Sequence, residues 1–248
     1  MAATSLEDDD GVMVPDFLVL EREAFPYTRN YCEENVYRFV EELLPRLPAE
    51  AQCFVVFISN PNGTIPIWNH RAEGIEDGSD ESVGSDSETG ILSCSSSGSS
   101  AGGIGEAEGA YGNGLDDDED EGDEGGFGGD GDAVIIWDYH VICVVKPRRG
   151  DCVAWIFDFD SDMDFPSPAP EYAVWCLGIQ YELPKKYQHR FRMVQAKSFL
   201  DSFASDRRHM IDDETGKLSS PPPPFPPIRG PLSKEAHNLP LYMNTHLL

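Results

Sequence analysis

Residues 72–132 divide this chain more sharply than any other feature. They hold 19 Asp or Glu, no Lys or Arg, and 17 of the chain's 23 glycines. Like charges at that density repel, and glycine raises the entropy lost on ordering. Such a stretch cannot bury enough apolar surface to fold by itself. It is expected to be a disordered, solvated spacer. A packed core must therefore come from its two flanks, 187 residues with a net charge of −8, against −27 for the whole 248. That is enough for one ordinary domain. The expectation is a loose leader over 1–25, a single domain over 26–228 interrupted by the insert, and an irregular tail over 229–248.

The charge argues against nucleic acid or an anionic membrane as direct partner, because phosphates repel such a surface. No apolar run is long enough to cross a bilayer. The first residues, MAATSLEDDD, lack the basic and apolar blocks of a signal peptide. A monomer in the cytoplasm or nucleus is expected. Six cysteines, at 32, 53, 94, 143, 152 and 176, form no C-x-x-C pair and suggest no zinc site. In a reducing compartment they stay thiols. Cys53 and Cys143 lie in apolar strand-like runs and read as small buried hydrophobes.

Val36, Phe39, Val40, Leu43 and Leu44 recur at helical spacing, which predicts a helix that Pro45 ends. Glu33 and Glu34 occupy its first turn, where the helix dipole favours acids. Cys32 stands at its start. Gln52 to Ser59 reads as a buried strand and Asn60 to Gly63 as a turn. Ile65 to Trp68 is a short extended piece that Pro66 confines to an edge. After the insert, 133–145 and 151–160 are β-type runs joined at 146–150, most simply an antiparallel hairpin. A bend near Arg149 would set His140 opposite Asp158, with a slip of a residue or two allowed. Phe191 to Ala196 suggests another strand and Ser198 to Phe203 a helical turn. The proline run at 221–227 reads as a packed, stiff connector.

Three of these features suit one chemistry. A cysteine at a helix start feels the positive end of the dipole, which favours thiolate. A histidine on a strand can take its proton. A carboxylate across the hairpin can orient the imidazole. Nucleophile, base and orienter make a triad of Cys32, His140 and Asp158, with Asp160 as the fallback orienter. Each also has a plain reading, as packed thiol, satisfied core histidine and strand-end acid. The alternating acids 158, 160 and 162 lack the glycine and distal glutamate of a calcium loop.

The residues also resemble a known family. Trp137 to Val141 spells WDYHV, a signature of the protein N-terminal glutamine amidohydrolases. The likeness extends to Tyr31-Cys32-Glu33-Glu34-Asn35, Val56 to Asn60, Ile65 to Trp68, Ile156 to Asp160, Phe203 to Arg207 with His209-Met210, and the proline run. It implies an α+β fold with a papain-like or transglutaminase-like thiol core, a nucleophile helix packed on an antiparallel sheet. It implies hydrolysis of the side-chain amide of an N-terminal glutamine, on a protein or peptide with a free N-terminus. The glutamate left behind can be arginylated and enter the N-degron pathway. No metal or organic cofactor is implied, and the triad carries over to Cys32, His140 and Asp158. Glu33, Glu34, Asp138 and Asp160 are candidates for binding the substrate's α-ammonium. Arg229 to Leu248 does not resemble the ordered segment that follows the proline run in the family, so the chain reads there as truncated or alternatively spliced. The rival readings are an inactive glutamine-binding module and another thiol hydrolase or a transglutaminase.

Overall fold

The computed structural model describes residues 14–71, 92–94, 134–147 and 153–244. In chain order, two 3-10 turns, Asp16–Leu18 and Arg22–Ala24, precede helix α1 (Cys32–Leu43). Strands β1 (Gln52–Ser59), β2 (Ile65–Trp68), β3 (Leu92–Cys94), β4 (Val134–Trp137), β5 (Tyr139–Lys146), β6 (Trp155–Phe157) and β7 (Ser167–Pro168) follow. Helix α2 (Ala169–Trp175), strand β8 (Arg190–Gln195), helix α3 (Ala196–Ser202), strands β9 (Ala204–Ser205) and β10 (Ile228–Arg229), and helix α4 (Leu239–Met243) complete it. The fold is α+β. Its centre is a five-stranded sheet in the order β7-β6-β5-β1-β8, every neighbouring pair antiparallel.

Successive residues of a strand face opposite sides, so each central strand serves two cores. Val55, Phe57, Val141, Cys143 and Phe157 meet Val36, Phe39, Val40 and Leu43 of α1 and Phe199 of α3. Val56, Ile58, Ile142 and Ile156 turn the other way, onto Ile65, Ile67, Ile135, Trp137 and Tyr172. The apolar stripe read along α1 is thus the face that packs on the sheet. Pro45 ends that helix as expected, inside a 3-10 turn over Leu44–Arg46. Cys53 and Cys143 are buried free thiols, 3.5 Å apart between β1 and β5.

Three expectations need amendment, and the hairpin register becomes definite. The 133–145 run is two strands. The chain bends at Asp138, so β4 pairs with β2 and β3 while β5 joins the large sheet. In that small sheet β2 keeps an outer position, where Pro66 needs no ladder hydrogen bond. The hairpin forms with Cys143 facing Phe157, two residues from the simplest register and within the slip allowed for it. The leader is not loose throughout, because Leu18 and Phe25 are buried in the α1 core. Nor are the described residues of the tail irregular throughout. Leu239 and Tyr242 of α4 enter that core, and Asn238 bonds both Ala204 and Ser202.

Most of the 72–132 insert lies outside the described residues, as do 1–13, 148–152 and 245–248. Within the insert, β3 runs parallel to β4, so the stretch is not featureless throughout. No helix of the described residues is long and apolar enough to cross a membrane.

Candidate active site

Cys32 is the first residue of α1 and is buried. Its N-cap, Tyr31, makes no side-chain capping hydrogen bond. Instead Asn35 reaches back, accepting from Thr28 N–H at 2.9 Å and donating to Thr28 C=O at 2.8 Å. These bonds pin the helix entrance and leave its first amides without a capping side chain. The thiol lies 3.8 Å from Glu33 Oε2, to which it donates, and the Val141 backbone of β5 nearby favours its thiolate form. Burial pushes the Cys32 pKa well up, and Glu33, Asp160 and Asp138 push it further. This reverses the expectation of a thiol lowered by the helix dipole. The dipole acts on a group taken out of water and ringed by acids, and desolvation dominates.

His140 follows the pleat to the opposite face from Tyr139 and Val141. Its Nε2 lies 2.9 Å from Asp158 Oδ1, and its Nδ1 is buried with no hydrogen-bond partner among the described residues. No hydrogen bond joins it to Cys32 there. The thiol instead meets β5 at the very next residue. Burial lowers the His140 pKa, but the charge and hydrogen bond of Asp158, with the charge of Asp160, outweigh it, so the net direction is up.

Asp158 sits just past the end of β6 and is buried. The two-residue register change keeps it on the His140 side, because an even slip preserves the face. Four donors converge on its carboxylate. Oδ1 takes His140 Nε2 and the Asp160 N–H at 3.0 Å; Oδ2 takes His70 Nε2 at 3.0 Å and Tyr172 Oη–H at 2.5 Å. Burial alone would raise its pKa, but the charges and hydrogen bonds of His140 and His70 hold it well below the usual aspartate range. Asp160, the fallback, is taken by Tyr27, whose hydroxyl donates to Oδ1 at 2.6 Å.

Sequence reasoning missed His70 and Tyr172. The first ends the β2 segment at the edge of the acidic insert, and the second lies in a helix with no flagged chemistry. His70, His140 and Asp158 carry donor atoms within 4.8 Å of one another, a spacing a cation could bridge. The donors already present fill the acceptor positions of Asp158, and an ion would have to displace two of them.

The four acids proposed for an α-ammonium are sorted by their surroundings. Glu34 is spent in a buried, two-pronged pair with Arg207, at 2.8 Å on both oxygens. Asp138 Oδ1 accepts the Tyr139 N–H. Glu33 is buried between Tyr139 Oη, 3.0 Å from Oε2, and His209 Nε2, 3.3 Å from Oε1. Burial lowers the His209 pKa, yet the hydrogen bond and charge of Glu33 raise it overall.

Comparison with known proteins adds a separate finding. The family described as N-terminal glutamine amidase matches residues 27–80 and 126–247. The chain belongs to this family. As an N-terminal glutamine amidase family member it is an amidohydrolase. The unmatched gap falls inside the acidic insert, and the match runs through the tail. That corrects the expectation that Arg229 to Leu248 departs from the family. A protein N-terminal glutamine amidohydrolase of Arabidopsis thaliana is 31% identical over 85% of this chain and 72% of its own length. Proteins of the same name from Drosophila melanogaster and Drosophila willistoni are 28% identical over 87% of this chain and 78% of theirs.

Proposed function

We propose that this protein hydrolyses the side-chain amide of an N-terminal glutamine, leaving N-terminal glutamate and ammonia. The observation that carries the reading is the coincidence of family membership with a buried thiol beside the strand of a carboxylate-bound histidine. In this reading Cys32 is the nucleophile, His140 the base and Asp158 the orienter, on a papain-like or transglutaminase-like core.

His140 holds a proton on Nε2 for Asp158, so its Nδ1 is the nitrogen left to accept one. The thiol gives its proton to that nitrogen, and sulfur attacks the δ-carboxamide carbon. Catalytic hydrogen bonds are often long in a free site and tighten once substrate binds. The oxyanion is met by first-turn amides of α1, which no capping side chain occupies. The imidazolium returns its proton to the leaving nitrogen, the C–N bond breaks and ammonia departs. Water, deprotonated by His140, then hydrolyses the thioester to the γ-carboxylate.

The acids that raise the thiol pKa suit a cationic substrate. An α-ammonium placed among Glu33, Asp138 and Asp160 offsets part of their charge and favours thiolate where the amide is held. The glutamate product is a substrate for arginylation, which puts the reaction in the N-degron pathway.

Mass spectrometry of a peptide beginning with Gln tests this. The wild-type chain should add about one dalton and release ammonia, whereas Cys32→Ala and His140→Ala should not. Turnover of an acetylated or internal glutamine would refute the substrate class. A γ-glutamyl adduct formed with an added primary amine would point to a transglutaminase.

A further inference from the structure

His70 occupies a site fixed independently of its own side chain. Asn69 takes a left-handed turn, with φ 52°. Asp162 N–H then donates to Asn69 C=O at 2.8 Å, Arg71 N–H to Asp160 C=O at 3.0 Å, and His70 bridges Ser161. The segment after β2 is thereby clamped against the segment after β6, the one that carries Asp158. The His70 ring meets those of His140 and Trp137 edge-on, at centroid separations of 4.8 and 5.8 Å. Its Nε2 reaches the Asp158 oxygen that His140 does not use.

Each donor added to one oxygen of a carboxylate narrows its rotation and draws charge onto that oxygen, away from the other. We propose that His70 is a positioning residue of the reaction: from Nε2 it joins Tyr172 in holding Asp158 Oδ2, helps set the carboxylate plane against His140, and draws charge away from Oδ1. The proposal rests on the triad reading given above. Without the His70 bond, more negative charge falls on Oδ1 and the His140 cation becomes more stable. The groups facing this pair are Tyr172 of α2 and Cys176 just after it, Asp160 beside Asp158, and Arg22, which feels the charge of Asp158. None of them meets Oδ2 except Tyr172.

The test uses the full chain with three changes. His70→Leu fills space without a donor, His70→Gln restores one, and Tyr172→Phe removes the other donor on Oδ2. The acid limb of kcat/KM on a Gln-initiated peptide is measured against pH, and His140 is titrated by NMR. His70→Leu should raise both midpoints by about half a pH unit or more. It should lower kcat about tenfold and change KM less than about twofold. His70→Gln should return most of both.

Unmoved midpoints in His70→Leu, or His70→Gln behaving like His70→Leu, would overturn the proposal. If His70→Leu does not fold, Tyr172→Phe must raise the His140 midpoint, and no shift there overturns the charge-sharing argument. A shifted His140 titration with an unmoved activity profile would refute the triad reading while leaving the hydrogen-bond tuning of His140 in place.

Discussion

At the residue scale, burial decides what each charged group can do. Glu34 and Arg207 are both buried and meet by two parallel bonds, while Arg207 also donates to the carbonyls of Pro223 and Phe225. One guanidinium thus ties α1, the segment after β9 and the proline run together. This supports reading that run as a connector. Removing one partner leaves a buried charge uncompensated, so Arg207→Ala is expected to cost about 3 kcal/mol or more. A urea titration followed by tryptophan fluorescence would measure it.

Glu33 acts on reactivity instead. It is the largest charge that raises the Cys32 pKa, second only to burial. Glu33→Gln is expected to lower that pKa and speed alkylation of Cys32 by iodoacetamide at neutral pH several-fold. Equal rates in the two proteins would show that Glu33 does not govern the thiol.

At the scale of elements, the face a strand presents matters more than its exact register. His140 and Asp158 meet although the hairpin is two residues from the simplest pairing, because both remain on the Ile142 side. Their pairing has a consequence for stability. Asp158 is held well below its ordinary pKa in the folded state, so the unfolded chain binds a proton there first. The stabilisation is present above about pH 4, the ordinary aspartate value, and is lost as pH falls further toward the folded value. Between about pH 5 and pH 3, Asp158→Asn is therefore expected to lose less stability than the wild type, read from urea midpoints at each pH. An identical acid-side slope in the two proteins would show that this carboxylate is not the group concerned.

At the scale of the molecule, the tail completes the core. Leu239 and Tyr242 are buried, Ser59 donates to Met243 C=O, and Arg192 donates to Leu241 C=O. Each buried large side chain contributes about 1.5–3 kcal/mol. Deletion from residue 238 onward is expected to cost on the order of 4 kcal/mol, visible as a lower thermal midpoint. Replacing residues 95–125, which follow β3 and which the family does not match, by a short Gly-Ser linker is expected to leave kcat/KM within about twofold.

What the amino-acid order determined by itself is local or periodic. The α1 stripe, the eight residues of β1, the edge position of Pro66 and the helix start at Cys32 are all set by spacing along the chain. The pairing of His140 with Asp158 was legible because it needs only a hairpin and a matching face. The tertiary structure alone decided the rest. His70, from beyond β2, reaches the carboxylate through backbone bonds between segments some ninety residues apart. The tail shows no pattern because a helix of five residues needs none once two of its side chains find a core already built. The character of the thiol also depended on tertiary surroundings. A helix dipole can be read from sequence, but the desolvation and the three carboxylates that outweigh it at Cys32 exist only when α1, β5 and the segments flanking them are packed together.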